Sequence, residues 1–139
     1  MKKVQPSSSL SSHSLKEFEG RILIVTDEPG IIPSFVPALE EYGFIVDIFD
    51  DPLTALSNFK NGIYDILIIN IRMPKMNGFE LYDKMKAIDD KIKICLVTAY
   101  EVNYRALRQL FPEPRVECFI QKPIDINALL RRIKKELCQ

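Results

Sequence analysis

Five short apolar runs, spread evenly along the chain, restrict its fold more than any other feature. They read RILIVT (21–26), FIVDIF (44–49), DILIIN (65–70), IKICLV (92–97) and VECFI (116–120). All are rich in β-branched residues, and their apolarity is continuous rather than alternating. That is the pattern of strands covered on both faces, as in a parallel sheet. Helical patterns separate them. Ile32, Phe35, Leu39 and Tyr42 share one stripe, with Gly43 placed to stop it. Pro33 suits a first turn, but Pro37 must remove a backbone bond or move the helix start. Asp51 as N-cap and Pro52 at the first helical position open a second helix, with Gly62 beyond its end. Leu81, Met85 and Ile88 mark a third. EVNYRALRQLF (101–111) reads as a fourth, stopped by Pro112 and Pro114. Ile126, Leu129, Leu130, Ile133 and Leu137 give a strongly amphipathic fifth, opening at Asp125. Strand and helix thus alternate five times, which predicts an α/β fold. Its form is a doubly wound five-stranded parallel sheet, with right-handed crossovers and five helices on its two faces.

A chain of 139 residues fits one domain with a real core. Residues 1–19 stand apart: SSSLSSHS (7–14) cannot bury enough apolar surface to offset its ordering entropy. A flexible Ser-rich tail over 1–19 and a folded domain over 20–139 are therefore expected, and His13 lies alone in the tail. Lys plus Arg and Asp plus Glu are both 19, so no global field favours nucleic acid or an anionic membrane. The basic run RRIKKE (131–136) falls opposite Ile126, Leu130 and Ile133, as a solvated face would. The N-terminus lacks the apolar core of a secretory signal, and no stretch approaches transmembrane length, so a cytoplasmic protein without membrane contact is expected. Cys95 and Cys118 lie inside apolar runs and read as small buried hydrophobes. With Cys138 they form no CxxC spacing, and neither a disulfide nor zinc is expected.

In doubly wound sheets ligands bind beyond the carboxyl ends of the strands, near the point where strand order reverses. Thr26-Asp27-Glu28 ends the first run and Asn70 the third. Thr98-Ala99 follows the fourth, and the fifth leads to Lys122-Pro123. Each has an ordinary explanation alone: acids favour a helix N-terminus, Thr98 suits a turn, and Lys122 could be a surface charge. Their placement at successive strand ends points to a shared site. The stretch LIINIRMPKMNGFE (67–80) is the most informative, an apolar strand that stops on polar Asn70, breaks at Met73-Pro74 and turns at Asn77-Gly78.

ILIVTDEP, IINIRMPKMNGFEL, LVTA and FIQKPI occur in one order across 20–137. Together they resemble the motifs of response-regulator receiver domains in two-component signalling. The resemblance implies a flavodoxin-like receiver fold with strand order 2-1-3-4-5. It also implies an aspartate that ends the third strand and takes a phosphoryl group from a histidine kinase. Acids after the first strand hold Mg²⁺, helped by a backbone carbonyl just past the acceptor. Carried over, Asp27 matches the metal ligand and Arg72 would offer the carbonyl. Thr98 matches the hydroxyl that contacts the phosphoryl group, Lys122 the lysine and Phe119 the aromatic switch position. Lys122-Pro123 matches a bond that is cis in the family.

Two positions depart. Thr26 stands where an acid is usual, and Asn70 stands at the phosphoacceptor position. An amide forms no acyl phosphate, and the pocket loses two negative charges, so Mg²⁺ is expected to bind weakly. The resemblance with these departures implies a pseudo-receiver, not an enzyme, that contacts a histidine kinase or downstream effector. A second copy of the chain could use the same face: the fourth predicted helix, the fifth strand and the fifth helix. Lys122, without an ionic partner at residue 70, is expected to turn to Asp27, and the Asn70 amide to donate to Thr98 or Asp27. The competing expectation is a conventional Mg²⁺-dependent phosphoacceptor in which Asn70 is an engineered substitution, which leaves Thr26 unaccounted for. A flavodoxin-like cofactor binder is disfavoured, because TDEPG offers carboxylates where a phosphate would need a cradle.

Overall fold

The computed structural model describes residues 20–28, 30–98 and 118–138. Its strands are β1 (Gly20–Val25), β2 (Phe44–Phe49), β3 (Ile66–Asn70), β4 (Lys93–Thr98) and β5 (Cys118–Gln121). All pair in parallel, in the order β2-β1-β3-β4-β5 that the motifs imply. Among the described residues the helical segments are α1 (Ile31–Ser34), α2 (Val36–Glu41), α3 (Pro52–Asn58), α4 (Gly78–Ile88) and α5 (Ile126–Leu137). The helix expected over 101–111 lies outside the described residues. No described helix is long and apolar enough to cross a membrane.

Continuous apolarity in β1, β3 and β4 has the predicted consequence, since neighbouring residues enter opposite cores. Ile22, Ile24, Ile66, Ile68 and Val97 pack with Leu39 of α2 and Leu129, Leu130 and Ile133 of α5. Leu23, Val25, Leu67, Ile69 and Leu96 pack with Ala55 of α3 and Leu81 and Met85 of α4 on the other face. Strand β2 departs from that pattern. It is an edge strand, and Ile45 and Ile48 are 54% and 42% exposed, so its apolar run marks β propensity more than burial.

Three local expectations need correction. The first helix is broken: α1 ends at Ser34, Phe35 caps a new start, and Pro37 falls in the first turn of α2. Pro37 has no N–H to donate into a preceding turn, so the chain restarts where none is required. Gly43 stops α2 as expected, at φ 107°. Asn77-Gly78 is not a free turn but the start of α4. Asn77 Oδ1 accepts from the N–H groups of Phe79 and Glu80, both at 2.9 Å, and Glu80 returns a carboxylate to the Asn77 N–H at 3.1 Å. Finally, Cys95 and Cys118 are buried as expected but joined by a disulfide, contrary to the reading as separate hydrophobes. The sheet register explains it. They are direct partners across β4 and β5, with Cα atoms 4.6 Å apart, inside the roughly 4.4–6.8 Å range a disulfide spans.

Candidate functional site

The carboxyl ends of β1, β3, β4 and β5 bring together Thr26, Asp27, Glu28, Asn70, Thr98 and Lys122. Past β1, the Thr26 N–H donates to the Phe49 carbonyl at 3.1 Å, continuing the ladder to β2 for one more residue. The Thr26 side chain is buried, and its Oγ1 accepts from the Glu28 N–H at 3.2 Å. This hydroxyl therefore shapes the loop, while Asp27 and Glu28 are exposed.

Asn70 closes β3 at 5% exposure. Its Nδ2 donates to the Arg72 backbone carbonyl at 3.0 Å. A carbonyl only accepts, so the amino end of the amide must face it. The expected bonds from Asn70 to Thr98 or Asp27 give way to this nearer acceptor two residues on. The loop is pinned from below: the Ile71 N–H donates to the Val97 carbonyl at 2.9 Å, and the Gly78 N–H to the Ile71 carbonyl at 2.8 Å. Gly78 permits the approach, because a Cβ there would lie 2.8 Å from both the Asn70 carbonyl oxygen and the Ile71 Cα. Within the loop Lys75 adopts φ 72°, and its ammonium lies 3.5 Å from Asp51 Oδ1. The Asp51 carboxyl is held below its ordinary range chiefly by a hydrogen bond from Thr54.

On the far side, the Lys122 N–H donates to the Thr98 carbonyl at 3.0 Å, so β5 ends level with β4. Thr98 is buried at 1% exposure. The Lys122–Pro123 bond is cis, as the resemblance implies. The Lys122 ammonium pairs with the Glu28 carboxylate, not with Asp27. This ion pair spans the site from the β1 loop to the end of β5. Asp27 makes no hydrogen bond or ion pair among the described residues. Phe119 is half-buried, its ring 6.3 Å from that of Phe79 and tilted by 53°. Among the described residues no three His, Cys, Asp or Glu side chains converge as a metal site would require.

The expected residues thus lie at neighbouring strand ends, with pairings other than those expected for Asn70 and Lys122. Glu28 was passed over for its neighbour, since only the loop geometry decides which carboxylate meets Lys122. Gly78 was missed as a site residue, although N-G-F-E (77–80) carries the capping-box spacing that places it at a helix start.

A family model described as "Response regulator receiver domain" matches residues 22–134. The response regulator receiver protein CpdR of Brucella abortus is 31% identical over 117 residues, covering 84% of this chain and 96% of its own length. The transcriptional regulatory protein CreB of Escherichia coli is 28% identical over 121 residues, and the chain spans 52% of its length. Among solved structures, a CheY-like response regulator receiver domain protein from Methanospirillum hungatei aligns over 87% of this chain and 95% of its own. Its TM-score is 0.71 at 28% identity.

Proposed function

The chain belongs to the response regulator receiver domain family of two-component signalling, and on that premise we propose that it signals by contact, independently of phosphorylation. Receiver domains work with histidine kinases and effectors, and this one is read as a recognition surface rather than an enzyme. The observation that carries the reading is the Asn70 amide donating to the Arg72 carbonyl. That carbonyl is the one the family resemblance assigns to Mg²⁺, and here it accepts a hydrogen bond from the Asn70 amide. Thr26 adds no charge, and Glu28 is engaged by Lys122. Mg²⁺ demands oxygen donors in near-octahedral array and releases its waters reluctantly. The donors present do not fit it, and no step of the proposed function passes through a metal.

An amide at residue 70 also lacks the nucleophilic oxygen that an acyl phosphate needs. The site is thus held in one arrangement by neutral hydrogen bonds and one ion pair. The recognition surface is assigned to the β5–α5 edge, where Arg131, Lys134 and Lys135 are exposed and favour an acidic effector surface or an acidic patch on a second copy.

Phosphoryl uptake from acetyl phosphate, followed by intact mass, tests the reading alongside Mg²⁺ titration by calorimetry. The protein as it stands is expected to remain unlabelled and to show no saturable Mg²⁺ binding. The Asn70→Asp variant with Thr26→Asp is expected to regain both. Labelling of the unaltered chain at residue 70 would refute the proposal. Full recovery from Asn70→Asp alone would instead favour a conventional phosphoacceptor site altered at one position.

A further inference from the structure

The disulfide lies at a consequential place in the sheet. Cys95 and Cys118 are register partners, 0% and 1% exposed, and Cys118 is the first residue of β5. Within β5 and just beyond follow Phe119 and Lys122, the residues the candidate site takes from this strand. β5 has four residues and pairs on one side only, with β4. Whatever holds Cys118 therefore holds the first described residue of a strand that pairs on one side only.

The two sulfurs are not equivalent. Arg132, projecting from α5, donates from Nε to Cys118 Sγ at 3.1 Å. The same nitrogen lies 3.7 Å from the buried carboxylate of Glu136 one turn on. Both cysteines lie in the same apolar cluster, but Cys95 accepts no such bond among the described residues. A guanidinium against a sulfur stabilises that sulfur as a thiolate, and the better-stabilised thiolate is the better leaving group in disulfide exchange.

We propose that Cys95–Cys118 is a reversible redox-modification site, opened by a small thiol at the Cys95 sulfur with Arg132 receiving the departing Cys118 thiolate. A thiolate from the reductant attacks Cys95 Sγ. The S–S bond breaks, a mixed disulfide forms on Cys95, and the electron pair leaves with Cys118 Sγ facing Arg132. A second thiol displaces Cys95, releasing the reductant as its own disulfide. Two electrons and two protons pass from two thiols to the protein, and an oxidised thiol such as glutathione disulfide runs the sequence backwards. The buried sulfurs are reached by local opening of the short edge strand, the kind of sub-global motion that costs less than unfolding. Closing the bond fastens β5 covalently beside β4; opening it leaves β5 held by backbone hydrogen bonds and the packing of Phe119 and Ile120. This inference does not depend on the signalling role proposed above.

Thiol labelling of the full chain with N-ethylmaleimide, read by intact mass, provides the test. Before any reductant is added only the exposed Cys138 is expected to label. After dithiothreitol without denaturant, all three cysteines are expected to label, and reoxidation is expected to restore the single label. Reduction of Arg132→Gln is expected to run severalfold slower than that of the parent, because a less acidic Cys118 thiol leaves more slowly, with Arg132→Lys close to the parent. Hydrogen exchange at Phe119–Gln121 is expected to quicken on reduction while that of β1 does not change. Two further outcomes each overturn the proposal: Cys95 and Cys118 labelling under oxidising conditions, or both resisting dithiothreitol until the protein is denatured. An unchanged rate in Arg132→Gln with the fold intact would remove Arg132 from the mechanism as stated.

Discussion

At residue 78 the absence of a side chain decides how closely α4 can meet the end of β3. The atoms a Cβ would strike, the Asn70 carbonyl oxygen and the Ile71 Cα, are backbone and cannot rotate away. Gly78→Ala must lift the start of α4 off the loop or distort the strand end that presents Asn70. Overpacking of this kind costs about 1–3 kcal/mol. A lower urea midpoint with an unchanged slope would record it, whereas an unshifted midpoint would mean the loop yields freely. Asn70 itself was legible as a polar stop on an apolar strand. Its partner was not, because the choice among Arg72, Thr98 and Asp27 rests on a loop path that no residue pattern encodes. The same holds for Lys122, whose preference for Glu28 over Asp27 reflects the bend imposed by buried Thr26.

Among the elements, α4 is the best defined at its start. Asn77 satisfies two N–H groups that the first turn would otherwise leave open, and Glu80 completes the reciprocal bond. Asn77→Ala is expected to lose about 1 kcal/mol, within the 0.5–2 kcal/mol seen for such caps, while Asn77→Asp keeps an acceptor and loses much less. Chemical denaturation of the two variants side by side would separate the cap from mere side-chain truncation. At this scale the sequence was largely readable. Asp125 caps α5 as expected, its Oδ1 accepting from the Ala128 N–H at 2.7 Å. The broken first helix was foreseeable in kind from Pro37. The edge character of β2 was not, because a continuous apolar run looks alike in a central strand and in an edge strand rich in Ile and Val.

Across the whole molecule, a polar cluster lies toward the end of the sheet remote from Asn70. Tyr64 donates to Asp47 Oδ2 at 2.6 Å, and Arg21 reaches the same oxygen at 3.4 Å while its guanidinium lies 5.7 Å from the Tyr64 ring centroid. Burial first, and then the hydrogen bond to Asp47 and its charge, push the Tyr64 hydroxyl up to about 12 from 10.0. The folded state thus keeps the proton longer than the unfolded chain does. The associated stability is complete below pH 10.0 and drains away as pH rises through about 12. Tyr64→Phe is expected to flatten that alkaline decline, seen as denaturation midpoints that converge with the parent's as pH climbs; parallel curves would show the hydroxyl to be irrelevant. The alternation of strands and helices and their layering, by contrast, were legible from apolar runs and helix stripes, because the periodicity that buries a strand on two faces is written in the chain; the strand order came from the resemblance of the motifs. The disulfide was not. Cysteines 23 positions apart carry no motif, and only the pairing of β4 with β5 sets them opposite each other.

That bond also changes what kind of object the chain is. Joined at Cys95 and Cys118, it is no longer a line but a ring bearing two tails, with residues 96–117 leaving and returning through one covalent point. A cut anywhere in that ring severs the backbone without dividing the molecule. Everything from β1 to β4 stays bonded to β5 and α5, and the oxidised protein can lose continuity of sequence there while remaining one covalent molecule.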